Sequence, residues 1–145
     1  MRNQKTILIT GASSGVGQST ARLLSKKGYK VFGTSRNPAA MEAMAAVEIL
    51  GLDVQSGDSV TACVKAVADK AGGIDVLVNN AAYELAGALE ETSIEEAKAQ
   101  FETNFFGVVR MVTAVLPLMR QRGQGQIINV SSLSGTSSIP FMGIY

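Results

Sequence analysis

Short apolar runs alternate along this chain with segments of helical periodicity. Thr6-Ile7-Leu8-Ile9-Thr10 has the length of one buried strand. A glycine-rich turn, residues 11–17, leads from it into a helical segment, 18–27, which Gly28 stops. Residues 30–34 predict a second strand. Asn37-Pro38 opens a short helix-like piece, rich in alanine and methionine, that runs through Met44. Residues 47–52 read as a third strand. Val60, Val64, Val67 and Ala71 recur at spacings of three and four within residues 56–72, which is one face of a helix. Residues 74–78 and 126–130 predict the fourth and fifth strands. Between them Ser93-Ile94-Glu95-Glu96 is a capping box that opens a long helix running towards Arg122.

Strands that alternate with helices imply right-handed crossovers and a parallel sheet. The strands are continuous apolar runs rather than alternating ones, as expected when helices cover both faces. The predicted fold is therefore α/β: a Rossmann-like, doubly wound parallel sheet in the order 3-2-1-4-5, with residues 1–145 forming one dinucleotide-binding domain. The ligand crevice is expected at the carboxyl ends of strands 1 and 4, where the winding reverses.

Composition narrows the chemistry. The 145 residues are 46% hydrophobic with a net charge of +1, which fits a globular domain and gives no global attraction to nucleic acid or membrane. The longest apolar stretch, residues 105–119, is interrupted by Arg110 and Pro117 and is read as too short to span a bilayer. There is no histidine, which removes the usual general base and the usual zinc ligand, so no metal site is expected. Cys63 is the sole cysteine. Its helical, apolar setting predicts a buried, inert thiol, and a reducing cytoplasmic location fits. Charge is unevenly spread: Arg2, Lys5, Arg22, Lys26, Lys27, Lys30 and Arg36 precede the first acid, Glu42. The first third of the chain is thus attractive to phosphate.

The turn after the first strand is an anion site built largely from backbone. A helix N-terminus has unpaired N–H groups and a partial positive charge, and glycines let a pyrophosphate approach the main chain. The residues after the second strand bear on the form of the nucleotide. A site for NAD places an acid there, for the ribose 2′-hydroxyl. This chain has Ser35-Arg36 instead, and a guanidinium suits a 2′-phosphate, so NADP is expected over NAD. The alternative is a solvated arginine on an exposed loop.

Further polar segments fall at the ends of other strands: Asp53-Val54, Asn79-Asn80-Ala81-Ala82, and Asn129-Val130-Ser131-Ser132 with Gly135. Asn104 sits in the long helix, and Tyr145 stands thirteen residues after Ser132. Taken with Thr10-Gly11-x-x-x-Gly15-x-Gly17, this set resembles the short-chain dehydrogenase/reductase family over the whole chain. The resemblance implies an oxidoreductase that moves a hydride between a nicotinamide cofactor and a carbonyl/alcohol substrate. By the same resemblance Gly11, Gly15 and Gly17, with Ser13, Ser14 and Val16 between them, would face the pyrophosphate. Asp53 and Val54 would meet the adenine, and Asn80, Ala81 and Ala82 would lie along the ribose. Ser132 would hydrogen-bond the substrate oxygen, Tyr145 would exchange a proton with it, and Asn104 would help hold a water of the relay. Family members are usually dimers or tetramers, so a homo-oligomer is expected.

Two departures from the family pattern stand out. Ala82 occupies a position where the family usually has glycine. The family also places a lysine four residues after its tyrosine, and the sequence ends at Tyr145, before that lysine and the family's C-terminal strands. Without an ammonium to favour the phenolate, oxidation would lack its base. A species of this length is expected to turn over poorly and, with strand 5 as a bare edge, to associate. A non-catalytic dinucleotide-binding module is the alternative from another class. A serine hydrolase, suggested by Gly11-Ala12-Ser13-Ser14-Gly15, fails for want of a histidine. The segments 83–87 and 139–142 are expected to line a substrate pocket of apolar character.

Overall fold

The structure is a computed structural model that describes residues 4–145; Arg2 of the basic N-terminal third lies outside them. Five parallel strands form one sheet: β1 (Thr6–Ile9), β2 (Lys30–Ser35), β3 (Val47–Gly51), β4 (Val76–Asn79) and β5 (Gln126–Asn129). Their order is β3-β2-β1-β4-β5, the predicted one. In β1, Leu8 pairs with Phe32 on one side and Leu77 on the other, which keeps the carboxyl ends of the three central strands level.

Alternation along each strand sends side chains into two cores. Leu8, Phe32 and Leu77 face one side with Val64, Val67, Met111 and Val115. These last four come from helices α2 (Gly57–Ala71) and α4 (Gly107–Gln121). Ile7, Ile9, Val31, Val76 and Val78 face the other side with Ala21 of helix α1 (Gly15–Lys26). Cys63 belongs to the first core, and burial pushes its thiol up to about 11, so it holds its proton and reacts little.

Three elements differ from the sequence reading. Helix α1 begins at Gly15 rather than at residue 18, because Ser14 takes an extended N-cap conformation inside the glycine turn. The piece after Asn37 is only a 3₁₀ turn, Pro38–Ala40. Asn37 makes no side-chain capping bond there, and of the residues through Met44 only Met44 is buried in the core, with Met41 partly packed against it, so little sustains a longer helix. The long helix is divided: α3 (Ile94–Phe101) passes through a π turn, Glu102–Phe106, into α4. The predicted capping box is present at Ser93, whose hydroxyl and backbone N–H hold the Glu96 carboxyl below its ordinary pKa.

Because the helix continues through the π turn, the run Ile94–Gln121 is 28 residues and is long and apolar enough, by length and composition, to cross a membrane. The apolar stretch 105–119 read from the sequence is the C-terminal part of that run. In this fold, one face of α4 packs Met111, Val115 and Met119 into the core. Strand β5 is an edge, and Ile128 and the adjacent Val130 are exposed.

Candidate functional site

At the carboxyl ends of the strands, five segments enclose a cleft of about 570 Å3. The first is the turn after β1. Gly11 and Gly15 take positive φ values of 67° and 54°, a region that β-carbons disfavour. At Gly11 space is also short, since a Cβ would lie 2.8 Å from Ala81 Cα. Helix α1 leaves this turn without a side-chain cap at Ser14 and without an acid in its first turn. The N–H groups that any helix start leaves unpaired are therefore open to an anion in the cleft.

The second segment, after β4, is tied to the first. Thr10 Oγ1 accepts hydrogen bonds from the N–H groups of Asn80 and Ala81, each at 2.9 Å. Asn80 Nδ2 donates in return to the carbonyls of Thr10 and Gly11, each at 3.0 Å. Buried polar groups exchanged in this way fix one loop relative to the other. Gly17 sits beneath them. A Cβ on it would fall 2.3 Å from Gly11 O and 2.4 Å from Asn80 Nδ2.

The third segment, after β2, contributes Thr34, Ser35, Arg36 and Asn37, and the fourth, after β3, contributes Leu52, Asp53, Val54 and Gln55. Arg36 is exposed and pairs with no carboxylate among the described residues. Asp53 supplies the carboxylate of the cleft lining; its Oδ1 accepts from Gln55 N at 3.0 Å, and its own N–H donates to Ser59 Oγ at 2.9 Å. The π turn adds Thr103 as the fifth.

Twelve of the predicted cofactor residues line this one cleft: Gly11, Ser13, Ser14, Gly15, Val16, Ser35, Arg36, Asp53, Val54, Asn80, Ala81 and Ala82. Gly17 does not, and its place is in the packing under the loop. Thr34, Asn37, Leu52, Gln55 and Thr103 also line the cleft, although no motif in the sequence marks them, as does Tyr83, which the sequence assigns to the substrate pocket. Each neighbours a predicted residue in sequence or in the fold, and only the approach of the π turn has no sequence signal at all.

The three residues expected to act on substrate lie elsewhere. The Asn104 side chain is engaged at each polar atom: Oδ1 accepts from Tyr83 N at 3.1 Å and Nδ2 donates to Tyr83 O at 2.8 Å. Asn104 thus ties the π turn to the segment after β4. Ser132 caps the short 3₁₀ turn Leu133–Gly135, its Oγ accepting from Ser134 N at 3.2 Å. No hydrogen bond joins Ser132 to Tyr145 among the described residues, and neither lines the cleft. The two expected substrate segments do meet: Gly87 N donates to Phe141 O at 2.9 Å, beside a parallel bridge between Gly87 and Met142. Leu89 and Phe141 are exposed beside them. A second, shallower groove of about 470 Å3 lies on the helix surface beside Ile94, Phe101 and Phe106.

The cleft suits a dinucleotide: an open helix start for a pyrophosphate, a guanidinium to one side and a carboxylate with an apolar neighbour beyond it. Comparison with known proteins agrees in kind. The family described as short chain dehydrogenase matches residues 5–145. A 3-ketodihydrosphingosine reductase of Bacteroides thetaiotaomicron is 49% identical over 139 residues, 96% of this chain and 51% of that protein. The crystal structure of a short-chain dehydrogenase from Streptomyces avermitilis superposes with a TM-score of 0.93 at 37% identity, covering 100% of this chain and 55% of that one. A variant of actinorhodin polyketide ketoreductase with NADPH gives 0.89 at 33% identity, covering 100% and 59%. The chain spans about half the length of the curated relatives it matches.

Proposed function

Since this chain belongs to the short-chain dehydrogenase family, we propose that it carries the nucleotide half of an NADP-dependent oxidoreductase acting on a carbonyl/alcohol pair. The observation that carries this reading is the uncapped start of α1 above the Gly11–Asn80 contact, with Arg36 unpaired at the rim of the same cleft. The backbone donors of residues 13–16 hold the pyrophosphate, and Arg36 takes the 2′-phosphate in place of the acid that a 2′-hydroxyl would call for. Asp53 and Val54 receive the adenine, and Asn80, Ala81 and Ala82 form the wall along the ribose.

The bound nicotinamide supplies the hydride. The chain's own groups manage the oxygen of the substrate. Ser132 Oγ donates a hydrogen bond to it, and Tyr145 gives it a proton in reduction and takes one back in oxidation. The apolar side chains around residues 83–89 and 139–142 favour a carbonyl compound with a hydrocarbon body. The named activity of the Bacteroides relative, on a ketone of a sphingoid base, is of that class. A homo-oligomer in a reducing, cytoplasmic setting completes the proposal.

Titration with NADPH, followed by nicotinamide fluorescence, tests the nucleotide part. Enhanced emission that saturates, with NADPH binding tighter than NADH, is expected. Unchanged emission with both would end the reading. On substrate, NADPH-dependent reduction of a long-chain ketone is expected to fall sharply in Tyr145→Phe, which removes the proton donor. Undiminished turnover in that variant would contradict the role given to Tyr145.

A further inference from the structure

The π turn stands against the adenine side of the cleft, and three contacts join it and the start of α4 to the segment after β3. Arg110, one turn into α4, reaches back across the π turn to pair with Glu102 through Nη2 and Oε1; both side chains are about two-thirds withdrawn from solvent, at 31% and 37% exposure. Its Nη1 donates to the Val54 carbonyl at 3.4 Å. Gly107 lets α4 close on Val54, since a Cβ there would lie 2.8 Å from Val54 Cγ2. Gln55 Nε2 donates to Thr103 Oγ1 at 2.6 Å. Gln55 N in turn holds Asp53 Oδ1. The orientation of the Asp53 carboxylate is thereby linked, through Gln55 and Val54, to two residues of the helix.

We propose that Arg110 and Thr103 are positioning residues for adenine recognition: they anchor residues 53–55 to the π turn so that the Asp53 carboxylate meets the exocyclic amine of the base. The proposal rests on the dinucleotide reading above. Its chemistry is selective. The adenine amine donates to a carboxylate, whereas hypoxanthine presents a carbonyl oxygen at the same place, and two acceptors facing each other repel. A carboxylate held in place discriminates between the two bases, and one on a loosened loop turns aside and does not. Arg110 does this without entering the cleft lining: its ion pair with Glu102 fixes the guanidinium, and its bond to the Val54 carbonyl holds the loop.

The test compares NADP with its deamino analogue, which carries hypoxanthine, on the full chain and on Arg110→Met, Arg110→Lys and Thr103→Val. The unsubstituted chain is expected to favour NADP by about tenfold, the scale of one hydrogen bond to a charged group. In Arg110→Met the dissociation constant for NADP rises by about five- to tenfold while that for the analogue stays within about twofold, so the preference collapses. Arg110→Lys keeps the cation and recovers part of it. Thr103→Val removes one hydroxyl and narrows the preference in the same sense, which keeps the test open should Arg110→Met fail to fold. General destabilisation would weaken both ligands alike. Folded variants that retain the full preference for adenine would overturn the proposal, as would an unsubstituted chain that binds both dinucleotides equally; neither result touches the dinucleotide reading. A chain that binds neither ligand would remove both.

Discussion

Arg36→Glu is expected to reverse the cofactor preference of this chain. The substitution deletes the unpaired guanidinium at the rim of the cleft and places a carboxylate after β2, where a ribose 2′-hydroxyl can donate to it. Without its charge-assisted hydrogen bond, and with a carboxylate repelling it, the 2′-phosphate should bind far more weakly. Together these effects predict an NADP dissociation constant raised by about a hundredfold. The NAD constant should fall or hold, so the NAD-to-NADP ratio drops below one. Lys27→Glu is the control. Lys27 lies at the far end of α1, outside the cleft lining, and makes the same change in net charge. Salt screens distant charges within about 10 Å at 0.1 M ionic strength, so this variant should leave the ratio nearly unchanged. If both variants weaken NADP equally, the basic N-terminal third acts as a general field and Arg36 has no special part.

The second large effect is expected at Gly17. Its Cα lies so near the Gly11 carbonyl and the Asn80 amide that Gly17→Ala forces one of them to move. Moving Asn80 breaks its bonds to Thr10 and Gly11, and moving Gly11 reshapes the turn that faces the pyrophosphate. Overpacking of this kind costs about 1–3 kcal/mol of stability, to be read by denaturant unfolding. Dinucleotide affinity should fall by more than about tenfold at temperatures where the variant remains folded. Gly57→Ala is the reference, since a Cβ there meets nothing within 4 Å and its φ is not left-handed. It should be neutral or slightly stabilising. A Gly17→Ala protein as stable as Gly57→Ala, with undiminished affinity, would show that the close approach under the loop is not required.

Both predictions concern parts of the molecule whose outline is legible in the amino-acid sequence. Apolar runs mark the five strands, and the winding of right-handed crossovers gives their order; full burial is found in the central β1 and β4 and the inner residues of β2, and not at the edges β3 and β5. The Gly11-to-Gly17 spacing points to the turn, and residues from the ends of four strands line one cleft. The role of Gly17 is less legible, since sequence spacing cannot distinguish a glycine that faces a ligand from one that lets two loops touch. The segment after Asn37 reads as more helical than the 3₁₀ turn Pro38–Ala40, because alanine propensity is a weak guide without a cap or an apolar face. The π turn at Glu102–Phe106 is hidden for a different reason: one wider turn does not disturb a three-and-four periodicity enough to be noticed. Its consequences are hidden with it. The hold of Asn104 on Tyr83 has no sequence signal, and Arg110 reads as an interruption of an apolar stretch although it also braces Val54.

Amide chemical-shift mapping during a titration with NADP tests the central claim most directly, because it reports where the ligand sits as well as whether it binds. The account predicts the largest shifts at Gly11, Ser13 to Gly17, Arg36, Asp53, Val54 and Ala81, with NAD reproducing all of them except those around Arg36. Shifts centred on the groove at Phe101 and Phe106, or no shifts at a saturating concentration of either dinucleotide, would contradict it.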